Sequence, residues 1–303
     1  MSTLRTVLIR FAKIIGGFAL LLVALSIIAL AQVEWQVHEA RDAVPRIANA
    51  MAAPPADSAS TAPVLILLHG AGLNGRMWDA VRRSLDPAYR VIALDLPGHG
   101  VNRDGTYTLE GAVASITAAA RSVAPSPVVL VGDSLGGFSA IAAAPALPRE
   151  QLKGMVIGGA SHTFGMSDLP SYIGGVLLVR GLLLFSNEND LAARALANFP
   201  LSPADAHAML EAGVNLRAVA PAARSLMGMD FREKLAAIEA PVLIVNGSLD
   251  KNSVAQEAGF LAAAKHGSTL RFENCEHGVS MRRPAQFAAA INAFTARVIP
   301  SKP

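Results

Sequence analysis

Val128-Val129-Leu130-Val131-Gly132-Asp133-Ser134-Leu135-Gly136-Gly137 is the stretch that decides how this 303-residue chain folds. Four apolar, mostly β-branched residues read as a buried strand. Gly-x-Ser-x-Gly follows, and Phe138 to Ala144 reads as an alanine-rich helix. A strand that turns at once into a helix holds its turn residue in strained backbone geometry, and glycine on either side lets neighbouring elements approach. Ser134 is then pushed out at the end of the strand with its hydroxyl exposed. The N–H of Leu135, at a helix N-terminus, is free to donate to a developing oxyanion.

With a strand before it and a helix after it, the stretch resembles the nucleophile elbow of the α/β-hydrolase superfamily. The resemblance runs from about residue 62 to residue 297. Upstream, Val64 to Leu68 is an apolar strand leading into His69-Gly70-Ala71-Gly72. His-Gly-x after this strand supplies the second oxyanion donor in the resembled family, which by position is the N–H of Ala71. His69 reads as a brace for that loop. Trp78 reads as a packing residue, with a place on the substrate pocket as the alternative. Arg90 to Leu94 is the next strand, and the Asp95-x-x-Gly98-x-Gly100 turn after it looks like the family's loop-shaping turn. Thr108 to Val123 has the length of a helical crossover between parallel strands. Asp133 is too close to Ser134 to reach the far side of a histidine, and reads as an elbow or pocket residue.

Leu152 to Gly158 is a further strand, with His162 just beyond it as a candidate pocket residue. From residue 163 to residue 231 strand signals disappear, and the segment looks like the family's helical cap. Within it, Tyr172 to Phe185 is apolar apart from Arg180, and is too short and glycine-interrupted to cross a bilayer. It reads first as a cap helix packed on the core, and second as a lid facing an acyl chain or lipid. Ser202-Pro203-Ala204-Asp205 starts a helix.

Pro241 to Val245 and Thr269 to Phe272 are the last strands. Asp250 follows the first of them at the family's acid position, with Asp230 as runner-up, and His277 lies on the loop after the second. The order Ser134, Asp250, His277 is that of the family's triad. Imidazole takes the serine proton near neutral pH and returns it to the leaving group, while the carboxylate fixes its tautomer. The resemblance therefore implies a mostly parallel, doubly wound α/β sheet with an inserted cap. It implies a serine hydrolase cleaving a small-molecule carboxylic ester, with no metal or organic cofactor. An amidase or peptidase, a cofactor-free perhydrolase and a non-catalytic binding module are the alternatives.

The N-terminus is separate in character. Ile14 to Val33 is about long enough to cross a bilayer as a helix, behind Arg5, Arg10 and Lys13. The positive-inside tendency keeps those cations in the cytoplasm and sends the body across. Two readings stand: a retained membrane anchor, or a signal peptide cleaved after Ala29-Leu30-Ala31. The run is long for a signal peptide, which favours the anchor. The expected divisions are residues 1–33 for this segment, 34–61 for a linker, 62–162 and 232–303 for the two parts of the core, and 163–231 for the cap. No antiparallel strand pair is visible before Val64. Of 26 Lys and Arg, those three precede the first acid, leaving 23 against 23 Asp and Glu. A formally neutral body gives no reason to expect a nucleic-acid partner. Cys275 is the only cysteine, so no internal disulfide forms and no cysteine pair is present to hold zinc.

Overall fold

The computed structural model describes residues 17, 20, 21, 23–41 and 62–300. The basic N-terminus, the first residues of the apolar segment and the Ala/Pro/Ser-rich linker residues lie outside that set. Six strands form one parallel sheet: β1 (Val64–Leu68), β2 (Arg90–Leu94), β3 (Val128–Asp133), β4 (Leu152–Gly158), β5 (Val242–Gly247) and β6 (Gly267–Phe272). Their order is β2-β1-β3-β4-β5-β6, with no antiparallel strand among the described residues. β1 and β3 are buried along their whole length, as the apolar runs Val64–Leu68 and Val128–Val131 require of strands covered on both faces.

Alternate residues of β1 feed two cores. Val64, Ile66 and Leu68 join one, and Leu65 and Leu67 the other. The chain winds outward from β1 to β2 and then, from β3 onward, in the opposite direction. The crevice at the carboxyl ends of β1 and β3 is thus the switch point at which open α/β sheets place ligands.

Residues 23–41 form α1, which continues unbroken past residue 33 into the segment expected to be linker. Helices α2 (Asp79–Arg82), α3 (Leu109–Ser122) and α4 (Leu135–Ala143) belong to the first half of the core. The cap, between β4 and β5, holds α5 (Leu169–Phe185), α6 (Glu188–Leu196), α7 (Pro203–Glu211) and α8 (Val219–Leu226). α9 (Phe231–Ala236), α10 (Lys251–Ala263), α11 (Val279–Arg282) and α12 (Pro284–Val298) complete the second half. Ser202 caps α7 by accepting from the Asp205 N–H, with Pro203 in the first turn, as its sequence predicts. The cap is tied down through Asn74, which is fully buried and donates to the carbonyls of Met209 and Gly213. Arg83 also makes a two-pronged contact to Asp205, at 2.9 and 2.7 Å.

Two elements depart from the simplest reading. α5 is not packed into the core: of its 17 residues only Val176 is buried, while Leu178, Leu182, Leu184 and Phe185 are exposed. With the turn Met166–Asp168 it makes a 20-residue apolar helix, by length and composition able to cross a membrane. The expected run began at Tyr172, and the six residues ahead of it, from Met166, correct the expectation that it is too short. α1, for its part, lies against the cap along one stripe. Ala29, Val33 and Val37 are buried at a spacing of four residues. Glu34 pairs with Arg224 of α8 at 2.5 and 2.9 Å, and Gln32 accepts from Arg180 of α5.

Candidate active site

Ser134 stands at the end of β3 with φ 53° and ψ −117°, and α4 begins at the next residue. A positive φ is strained for an L-residue with a side chain, and such strain persists only where the surroundings over-determine it. Here they do. A Cβ at Gly132 would collide with the backbone of Gly136, and one at Gly136 with the carbonyl of Leu68. Both glycines are therefore spacing requirements of the tight strand–turn–helix crossing. The N–H of Ser134 donates to the Gly158 carbonyl at 2.7 Å, which stitches the elbow to β4.

The loop after β1 passes beside the serine: a Cβ at Gly70 would lie 3.8 Å from the Cβ of Ser134. Two buried histidines hold this loop. His69 accepts from the Leu96 N–H at 3.0 Å through Nε2, and its Nδ1–H donates to the Gly70 carbonyl at 2.8 Å. His99 accepts from the Gly72 N–H at 2.9 Å and donates to the Pro97 carbonyl at 2.8 Å. Burial lowers their pKa values to about 4 and about 3, so both are neutral braces near neutral pH. Asp95 accepts from the N–H groups of Gly75 and Val101 and shapes the same region. The N–H groups of Ala71 and Leu135 have no partner among the described residues.

His277 lies on the loop between β6 and α11, and its Nδ1 is 2.7 Å from Oδ2 of Asp250. Asp250 follows β5 and caps α10, accepting from the Ser253 N–H. The Asp250 side chain is 7% exposed and that of His277 51%, so the carboxylate is sheltered and the ring accessible. Because Nδ1 faces the carboxylate, Nε2 is the ring nitrogen left without a hydrogen-bond partner among the described residues. The ring rests on Gly159, at φ +56°, where a Cβ would come within 2.8 Å of Cε1 and 3.0 Å of Nδ1. Gly159 directly follows Gly158, whose carbonyl binds the serine's N–H, so His277 and Ser134 adjoin consecutive residues at the end of β4. No hydrogen bond joins Ser134 Oγ to His277; such contacts are often long in a free enzyme. Burial opposes charging of His277, but the Asp250 hydrogen bond and the charges of Asp133 and Asp250 prevail and raise its pKa. Burial likewise opposes ionisation of Asp250, and the hydrogen bond and charge of His277 outweigh it, lowering that pKa.

Asp133 is 1% exposed and lies beneath the site. It accepts from both the backbone N–H and the hydroxyl of Ser280 on α11, so it latches the histidine loop to the elbow. Burial raises its pKa. Trp78 is wholly buried beside Phe287 in the second core, which removes it from the pocket candidates. His162 is braced by Gln256 at 2.9 Å, stands 3.6 Å from Asp168 and packs on Phe164. Asp230, the runner-up acid, caps α9 and pairs with Arg232. Cys275 is buried. Gly159 and Ser280 carry no sequence signal for their parts here. Both are recognisable only once the β4 and α11 ends are brought together.

A sheet with this switch point, this elbow and this histidine–carboxylate pair defines an α/β hydrolase. A profile described as the alpha/beta hydrolase family matches residues 65–290, and the chain belongs to that family. It is 31% identical over 250 residues to the pimeloyl-[acyl-carrier protein] methyl ester esterase of Xanthomonas campestris pv. campestris, covering 77% of this chain and 95% of that one. Among solved structures it resembles a thermophilic esterase from Thermogutta terrifontis, with TM-score 0.61, 21% identity and coverage of 78% and 90%. It also resembles a membrane phospholipase A described as a bacterial virulence factor, with TM-score 0.64, 21% identity and coverage of 94% and 100%. The chain is an enzyme of the esterase type.

Proposed function

We propose that the protein hydrolyses carboxylic esters with an apolar acyl chain through an acyl-Ser134 intermediate. His277 Nε2 removes the hydroxyl proton as Oγ attacks the carbonyl carbon, then gives that proton to the departing alkoxide. Water, deprotonated by the same nitrogen, attacks the acyl-enzyme and releases the acid. Asp250 holds the ring's tautomer and stabilises the imidazolium. The unpartnered N–H groups of Ala71 and Leu135 receive the oxyanion, a contribution of about 3–4 kcal/mol for one such donor. The observation that carries this reading is the His277–Asp250 hydrogen bond, which leaves Nε2 free on a ring that rests on Gly159, next to the Gly158 that holds the N–H of Ser134, a serine at positive φ. The relatives named as ester-cleaving enzymes support the ester class. A fluorophosphonate probe tests it: the protein labels, while Ser134→Ala and His277→Ala do not. Labelling of Ser134→Ala equal to the parent refutes the assignment. p-Nitrophenyl esters of graded length then report the acyl preference, with turnover rising beyond acetate.

The N-terminal segment is read in the same proposal as a retained anchor, through residues 14–33, with the catalytic body on the non-cytoplasmic side. Leu20, Leu21, Val23, Leu25, Ile27 and Ile28 expose apolar surface that water disfavours. α1 also runs unbroken through residue 31, burying Ala29 and Val33 on either side of the alternative cleavage point. Fractionation decides it: the body stays with the membrane through salt and carbonate washes. Release with Gln32 as first residue refutes the anchor.

A further inference from the structure

A cavity of about 810 Å³ opens between α1 and the cap, and Ser134, Asp250 and His277 do not line it. Its size falls within the roughly 300–1,000 Å³ of small-molecule sites. Val33 of α1 faces Val176, Val179 and Leu183 of α5 across it. At its edge stand Trp35, 59% exposed, and Leu184, 79% exposed. The exposed Ile27 and Ile28 precede this wall on α1, and Leu182 and Phe185 flank it on α5, so apolar surface continues outward from the mouth. On the inner side Asn215 and Val219 separate the cavity from the loop after β1: Asn215 donates its N–H to the Gly72 carbonyl at 2.8 Å.

The charged groups on this lining are mostly of one sign. Arg103, Arg180 and Arg217 line it against a single carboxylate, Asp104. Arg217 is matched by Glu188 outside the cavity. Arg180 donates only to the neutral Gln32, and Arg103 has no ion pair among the described residues. The hydroxyl of Tyr172, also on the lining, is buried with no hydrogen-bond partner. Unmatched guanidinium groups and an orphaned phenol beside an apolar chamber call for an anion attached to something apolar.

We propose that this cavity is a second binding site, taking an acyl chain that carries an anionic group. Two sources share that chemistry, a free fatty acid and an anionic phospholipid of the surrounding bilayer. The inference is independent of Ser134 and goes beyond the ester-cleaving site.

The protein carries its own probe. It has two tryptophans, Trp35 at the cavity mouth and Trp78 fully buried in the core. The full chain with Ser134→Ala, in phosphatidylcholine nanodiscs, is titrated with 9,10-dibromostearate, and separately with dibrominated phosphatidylglycerol. Bromine quenches tryptophan at short range. The expected result is saturable quenching with at least one of the two, absent in Trp35→Phe. The responding ligand identifies the source. Gly175 lines the cavity, and a Cβ there meets nothing within 4 Å, so Gly175→Phe starts a bulky side chain there without a clash at its Cβ. It should weaken binding tenfold or more at an unchanged melting temperature. Gly175→Leu gives a smaller loss and serves if the larger variant melts early. Arg103→Gln with Arg180→Gln should weaken the anion tenfold, down to the level of methyl dibromostearate. Non-saturable quenching, equal quenching in the filled variants, or equal binding of acid and methyl ester would each overturn the proposal.

Discussion

Gly159→Ala tests the geometry of the site without touching a reacting atom. The new Cβ would stand 2.8 Å from Cε1 of His277 and 3.0 Å from Nδ1. Carbon atoms in contact stand about 3.5–4.0 Å apart, so the ring must withdraw by roughly 1 Å. The Nδ1–Asp250 contact of 2.7 Å does not survive such a shift intact. A misplacement of about 1 Å costs on the order of 100-fold in rate. The expected result is a fall in kcat/KM of about that size on a p-nitrophenyl ester, with fluorophosphonate labelling slowed in proportion. Stability falls as well, because alanine at φ +56° is strained by about 1–2 kcal/mol. That strain lowers the melting temperature by only a few degrees, so loss of activity and loss of fold are separable. Activity within about threefold of the parent, with the small drop in melting temperature present, would refute the reasoning. It would mean that the ring at 277 does not work from the position the structure gives it.

Further outcomes follow from the same geometry. The acid limb of kcat/KM should titrate above the ordinary histidine value of about 6.5, because the working base is neutral and a raised pKa protonates it at higher pH. Asp133→Asn should move that limb to lower pH by removing a charge that favours the imidazolium, and Asp250→Asn should move it further while lowering kcat by orders of magnitude. Rate–pH profiles of the three proteins check both. Asn74→Ala strands two carbonyls at the cap junction and should cost about 1–3 kcal/mol in denaturant unfolding. Val33→Asp puts an unpaired charge into the α1–cap contact. It should release α1, seen as faster hydrogen exchange over residues 23–41, with Val33→Leu as control.

The parts of the site set by local backbone rules were legible in the sequence. Gly-x-Ser-x-Gly between a β-branched run and an alanine-rich run admits few conformations, and the observed Ser134 geometry is one of them. Asp250 was placed by the acid position of the resembled family, and His277 by its loop after the last strand. Trp78, read first as a packing residue, is one: the turn Gly75–Trp78 carries its ring inward to Phe287, away from the pocket place held as the alternative. Ser280 was invisible because its partner, Asp133, lies 147 residues away, and no pattern of residue types marks so distant a hydrogen bond.

The cap and α1 were hard to read for a different reason. Apolar patterning says that a surface avoids water, but not what covers it. α5 is apolar nearly all round, which in a water-soluble protein means burial inside the fold. Here only Val176 is buried, and Leu178, Leu182 and Phe185 stand exposed. The stripe Ala29, Val33 and Val37 is concealed in a run where most neighbours are apolar too, and only docking on the cap distinguishes it. Retention of α1 and the shape of the cap are consequently linked. Cleavage after Ala31 would remove Ala29 from the stripe and leave Gln32, Val33 and Glu34 at a frayed terminus. The contacts to Arg180 and Arg224 would then depend on residues no longer held in a helix.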